Sequence, residues 1–112
     1  MPVMCIYHAL NVTPETYDKV RAAVRWEEDL PTGAISHTIS FSKNGGVEVD
    51  LWESRAAFET YRDNRLSPLL SQLGIVIDDP EILDIYVTAI GPLADTYRLP
   101  RAVTPETQLQ SA

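Results

Sequence analysis

The chain offers few residues for chemistry: two histidines, one cysteine and the carboxylates around them. His37 and Asp50 are the pair whose placement matters most. They flank Lys43-Asn44-Gly45-Gly46, and Asn-Gly is a strong signal for a two-residue type I′ hairpin turn, because both residues tolerate positive φ. With Asn44-Gly45 as the loop, Lys43 pairs with Gly46, Phe41 with Glu48, Ile39 with Asp50 and His37 with Trp52. Period-two alternation then puts His37, Ile39, Phe41, Glu48, Asp50 and Trp52 on one face of the hairpin. His37 and Asp50 stand at diagonal positions, from which a carboxylate can orient an imidazole. Such a pair can act as a catalytic base toward an acidic organic substrate, with Asp50 fixing the tautomer. It can equally be a polar pair that stiffens the sheet. Trp52 is core or cavity wall, and as a wall it would join Phe41 in a flat apolar surface suited to an aromatic ligand. Tyr7, Tyr61 and Tyr86 are candidates to add hydroxyls to the pocket, and His8 is a further candidate at a strand end.

Other chemistries lack their signatures. His8 and His37 fall on separate strands with no His-x₃-His or Cys-x₂-Cys spacing, so no metal set is expected. Gly45-Gly46 belongs to a hairpin and not to a phosphate-cradling loop before a helix. Cys5 reads as a small buried apolar residue. With a single cysteine no intrachain disulfide is possible, and the N-terminus has neither a basic region nor a cleavage site, so the cytoplasm is the expected compartment. The net charge of −7 disfavours nucleic acid and anionic membrane surfaces. No apolar run approaches the roughly 20 residues that span a bilayer.

The elements that must position these residues follow from patterning. The 112 residues, 45% of them hydrophobic, suffice for one core. Residues from about Val3 to Leu10 form a continuous apolar run, expected to be a strand buried on both faces. Thr13-Pro14-Glu15 is a helix start with a capping hydroxyl, a proline at the first position and an acid at the positive end of the dipole. Tyr17, Val20 and Val24 carry the helix to about Arg25. Ala34 to Ser42 and Val47 to Trp52 are the hairpin strands. Ser54 caps a second helix with Phe58, Arg62, Arg65, Leu66, Leu69 and Leu73 near one face, the arginines snorkelling at its edge. Pro68 predicts a break or kink, and Gly74 a stop. Ile82 to Ile90 is the last strand, with Leu83, Ile85, Val87 and Ala89 on its more apolar face. From Gly91 the chain reads as a tail, residues 91–112, extended or draped over a partner. The pentamer Val-Thr-Pro-Glu-Thr recurs at Val12 and Val103, too short to define a repeat.

The order β-α-β-β-α-β over residues 1–90 is the ferredoxin-like pattern, an α+β domain with a four-stranded antiparallel sheet and both helices on one face. The other face needs cover, and in a chain this short a second copy must supply it. A homodimer is therefore expected.

The segment Val49-Asp50-Leu51-Trp52-Glu53-Ser54-Arg55-Ala56-Ala57-Phe58 resembles the strand-to-helix junction of the dimeric α+β barrel superfamily. It is most similar to the antibiotic-biosynthesis monooxygenase and stress-responsive barrel families, in which a strand ends in an aromatic residue, followed by Glu-Ser and then Ala and Phe on the helix. The Val-Thr-Pro-Glu-x-Tyr start of the first helix is similar to that of actinobacterial members. Where several members carry a histidine, this chain has Tyr61. Haem-degrading members need a helix-borne axial histidine, which neither His8 nor His37 provides. The resemblance implies a dimeric barrel acting on a small apolar or aromatic molecule, without a cofactor. Cofactor-independent oxygenation, cyclisation or isomerisation of an aromatic or polyketide-like metabolite is the implied activity. A non-catalytic ligand-binding or stress-associated dimer, and a pure assembly module, are the rival expectations.

Overall fold

The structure, a computed structural model, describes residues 1–97. Strand β1, Val3–Ala9, alternates: Val3, Cys5 and Tyr7 are buried, while Met4 and Ile6 are half-buried and His8 is exposed. The expectation of burial on both faces is corrected here, because helices cover only one side of the sheet. Helix α1, Pro14–Val24, is capped by Thr13, whose Oγ1 accepts from the Thr16 N–H at 3.2 Å. It ends at Arg25 in the left-handed region, φ 56°.

Strands β2, Ala34–Ser42, and β3, Gly45–Trp52, form the predicted hairpin in a different register. Ser42 pairs with Gly45, Ile39 with Glu48 and His37 with Asp50. The loop is thus Lys43-Asn44, not Asn44-Gly45. Among the described residues only Arg25 and three glycines have positive φ, so Asn44 does not adopt the type I′ geometry; the positive φ falls on Gly45, at 116°. A side chain there would also run into the carbonyl oxygens of Ala9 and Leu10, which makes glycine obligatory at the turn's exit. Ser42 Oγ accepts from the Asn44 N–H at 3.1 Å and holds the turn. Because each residue pairs two positions from where expected, the period-two faces are unchanged.

Ser54 caps α2, Arg55–Tyr61, its Oγ accepting from the Ala57 N–H at 3.1 Å. A π turn follows at Arg62–Leu66, then α3, Ser67–Leu73. The break expected at Pro68 takes this form. Proline has no N–H and its ring crowds the carbonyl four residues back, so the helix widens just before it. The Ser67 N–H reaches the Arg62 carbonyl. The extra residue rephases the apolar stripe to Phe58, Tyr61, Leu66 and Leu70, all buried. Leu73, expected on that face, is 41% exposed. Arg65 Nη2 donates to the carbonyls of Val24, Arg25 and Asp29 at 2.8, 3.1 and 2.6 Å, so the expected snorkelling arginine instead clasps the end of α1.

Strand β4 is short, Glu81–Asp84, rather than running to Ile90. Ile82, opposite Cys5, packs on the core; Leu83, opposite Met4, faces the other way and is exposed. The more apolar face of the predicted strand is thus not the core face. After it, a 3₁₀ turn at Pro92–Asp95 is exposed, and the rest of the expected tail, 98–112, lies outside the described residues.

The sheet order is β2-β3-β1-β4, antiparallel throughout. This is a ferredoxin-like α+β fold. The core beneath the helices is Val3, Cys5, Tyr7, Val24, Trp52, Phe58, Tyr61, Leu66 and Leu70. On the opposite face the register sets Met4, Ile6, Val49 and Leu51 side by side, flanked by Val47 and Leu83. No described helix is long and apolar enough to cross a membrane.

Candidate active site

The site grows from one cross-strand pair. The hairpin register brings His37 and Asp50 directly opposite one another, and His37 Nδ1 lies 2.7 Å from Asp50 Oδ1. On the other side of the ring, the Tyr17 hydroxyl lies 2.6 Å from His37 Nε2. Tyr17 stands in the first turns of α1, where its helical spacing with Val20 and Val24 turns it onto the sheet. A continuous chain thus runs Tyr17–His37–Asp50, from helix to strand to strand.

Aromatic rings wall this chain. The Trp26 ring centroid lies 5.1 Å from that of His37, and the Phe41 ring meets Tyr17 edge-on at 6.0 Å. Trp26 is brought over His37 by the left-handed Arg25, which ends α1 and folds the chain back. An Arg21–Glu27 ion pair ties that segment to the helix. The indole N–H of Trp26 is buried with no hydrogen-bond partner among the described residues. The Asp50 side chain is 3% exposed and that of His37 15%.

Two carboxyls share the site. Burial pushes Asp50 from its ordinary 3.8 up to about 7, an interaction with Glu48 opposing the shift. Glu48 is held well above its usual range, first by burial and then by the Asp50 charge, with His37 opposing. Its Oε2 lies 3.8 Å from His37 Nδ1, close enough for charge attraction but too far for a hydrogen bond. Burial also pushes up the Tyr17 phenol. His37, Glu48 and Asp50 present three donor atoms within 4.8 Å of one another, the one group of this kind among the described residues. A cation there would have to replace the short Nδ1–Oδ1 hydrogen bond.

The remaining predicted residues divide. Trp52 is fully buried, packed on Phe58 and Tyr61 at 6.0 and 5.1 Å, so it is a core residue and not the wall of an open pocket. Tyr7 and Tyr61 join the same core, and burial raises Tyr7, Tyr61 and Cys5, the last to about 11. Phe41, 37% exposed, sits at the rim. His8 points to the other face of the sheet, since it neighbours Tyr7 on an alternating strand, and Tyr86 is 96% exposed. Neither reaches His37. Sequence reasoning missed Tyr17 as a site residue and Trp26 altogether. The signal for Tyr17 was a hydroxyl-bearing residue on an otherwise apolar helical stripe.

Two surface clefts stand out among the described residues. One, of about 500 Å³, lies at the sheet end between Met1, Ser54, Arg55 and Asp84, remote from His37 in the sheet. The other, of about 270 Å³, lies between the β1–α1 connection and the hairpin turn and is lined by Leu10, Val12, Pro14 and Phe41 among others. His37 lines neither.

No family model matches the chain, and no curated protein matches it. Solved structures do. A mutant of SnoaB, a cofactor-independent oxygenase from Streptomyces nogalater, superposes with a TM-score of 0.57 at 15% identity, covering 78% of this chain and 94% of that one. A monooxygenase from the gene ActVA-Orf6 of Streptomyces coelicolor, in complex with nanaomycin D, superposes with a TM-score of 0.50 at 22% identity, covering 81% and 91%. The ferredoxin-like fold of this chain is thus shared with these two oxygenases.

Proposed function

We propose that this domain is a small-molecule enzyme that deprotonates a phenolic or polyketide-like aromatic substrate, using the His37–Asp50 pair as its base and no cofactor. The observation that carries this reading is the unbroken Tyr17–His37–Asp50 hydrogen-bonded chain inside an aromatic enclosure. Ionised Asp50 accepts the His37 Nδ1–H and leaves the Nε2 lone pair available. The unpartnered Trp26 N–H supplies a donor for a substrate oxygen. A carbanion formed next to electron-rich rings can itself reduce O₂. For a CH₂ flanked by aromatic rings the balance is R₂CH₂ + O₂ → R₂C=O + H₂O: one oxygen atom becomes the ketone, and the other leaves as water with the two hydrogens. Without O₂ the same carbanion supports isomerisation or cyclisation. The fold likeness to a cofactor-independent oxygenase and to a monooxygenase that binds nanaomycin D supports the substrate class. The active form is a homodimer in the cytoplasm, joined through the apolar sheet face.

Oxygen uptake with dithranol, an anthrone with such a CH₂, tests the reading. The wild type should accelerate uptake, and His37→Ala should abolish the acceleration while leaving the circular dichroism spectrum unchanged. The second reading, a ligand-binding protein without turnover, is favoured by the fact that neither cleft is lined by His37. It predicts nanaomycin D binding, seen as quenched tryptophan fluorescence, with no oxygen uptake in any variant.

A further inference from the structure

We propose that Tyr17 is the catalytic residue that meets the substrate, and that its hydroxyl relays the substrate's proton to His37. The inference rests on the base assigned above, but it moves the point of contact from an imidazole to a phenol. In the closed arrangement both ring nitrogens of His37 are already engaged, Nδ1 by Asp50 and Nε2 by Tyr17. A substrate can reach His37 directly only by displacing the Tyr17 hydroxyl from a 2.6 Å contact. The rim approaches the chain from the Tyr17 side instead. The 270 Å³ cleft is lined by Phe41, and Phe41 touches Tyr17 edge-on. Half-buried Tyr17 is therefore the end of the chain next to the rim, and Asp50 the end sealed in the core.

The transfer balances without further groups. The substrate C–H or O–H proton passes to Tyr17 Oη as the Tyr17 proton passes to His37 Nε2. Tyr17 ends neutral, His37 ends as imidazolium, and the substrate ends as the anion. Burial favours this role, since it opposes a lasting phenolate and leaves Tyr17 to pass a proton rather than hold charge. The imidazolium forms between the Asp50 and Glu48 carboxyls and beside the Trp26 ring, whose 5.1 Å centroid separation is within the range of cation–π attraction.

Tyr17→Phe removes one oxygen atom and keeps the ring. Dithranol turnover should fall at least ~100-fold, in the range expected for loss of a general acid–base group, and the Tyr17→Phe/His37→Ala double variant should be no slower than the worse single variant, as for residues acting as one unit. If Tyr17→Phe turns over at or above the wild-type rate while His37→Ala is inactive, substrate contacts His37 directly and the relay is wrong. If His37→Ala keeps the wild-type rate, the base assignment itself falls, and the relay with it. A second measurement needs no turnover: imidazole nitrogen NMR without oxygen, with dithranol present. The wild type should convert His37 to the doubly protonated ring and Tyr17→Phe should not. Conversion in both, or in neither, overturns the proposal.

Discussion

His37 and Asp50 face one another squarely across β2 and β3, with Nδ1 2.7 Å from Oδ1, and the carboxyl lies on the buried side of that contact. The ring is thereby held at one nitrogen by a buried group. Its tautomer depends on whether Asp50 accepts a proton or donates one.

The first prediction follows from that dependence. Ionised Asp50 accepts the Nδ1–H and leaves Nε2 basic; neutral Asp50 donates to Nδ1 and puts the proton on Nε2, where it blocks transfer from Tyr17. Activity should rise with pH through about 7, the region to which burial pushes Asp50. The groups facing Asp50 are Glu48 on its own strand, Cys5 on β1, His37 on β2, Tyr17 on α1, and Tyr7 and Tyr61 in the core. Asp50→Asn should lower dithranol turnover about tenfold, less than the loss of the whole base, and flatten this limb of the kcat/KM profile.

Stability should run the opposite way. Asp50 binds its proton more tightly folded, at about 7, than unfolded, near 3.8. Between those values the unfolded chain holds fewer protons, so stability falls as pH rises. The favourable term is complete below about 3.8 and gone above about 7; Glu48, raised in the same direction, adds to the trend. Urea midpoints should decrease from pH 5 to pH 8 in the wild type and decrease less in Asp50→Asn.

Arg65→Ala should cost about 1.5 kcal/mol, the low end for hydrogen bonds from a charged donor, because only the Val24 carbonyl is part-buried and water can reach the other two acceptors. Three carbonyls, of Val24, Arg25 and Asp29, lose their donor together. Since Trp26 lies within that segment, Trp26 fluorescence should shift red in the variant, and Arg65→Lys should recover only part of the loss, lacking the planar fork.

The apolar outer face of the sheet gives the fourth prediction. Light scattering should give twice the mass of one chain, and replacing Val49 by Asp, in the middle of the Met4, Ile6 and Leu51 patch, should give a monomer. An unchanged mass in that variant would place the interface elsewhere.

The sequence made the fold legible because its signals are local: Thr13-Pro14, Ser54 and the hairpin glycine each act within a turn of chain. The His37–Asp50 pairing was readable for a narrower reason. Asn-Gly predicts the turn one residue further along than it forms, but pairing then moves by two, and a period of two restores the same face. Tyr17 was visible as a helix-stripe residue and invisible as a site residue, since its hydrogen bond depends on how α1 lies across the sheet. For Trp52, alternation gives the face but not the depth, so the sequence leaves core and cavity wall open and its full burial decides for core. It lies on the His37 face, where the rephased second helix seals it under Phe58 and Tyr61. His8 and Tyr86 have only their residue type to recommend them, and strand pairing sets neither beside His37.

The π turn at Arg62–Leu66 has a consequence for comparing this chain with others. It amounts to one residue more than a regular helix would use to join the same two ends, and each residue turns an α-helix by about 100°. A fold relative with an uninterrupted helix here would match this chain residue for residue before the turn and again after it, but offset by one. Alignment without a gap between Tyr61 and Ser67 would set Leu66 and Leu70 against solvent-facing positions, and the shared core of the two proteins would be scored as mismatch.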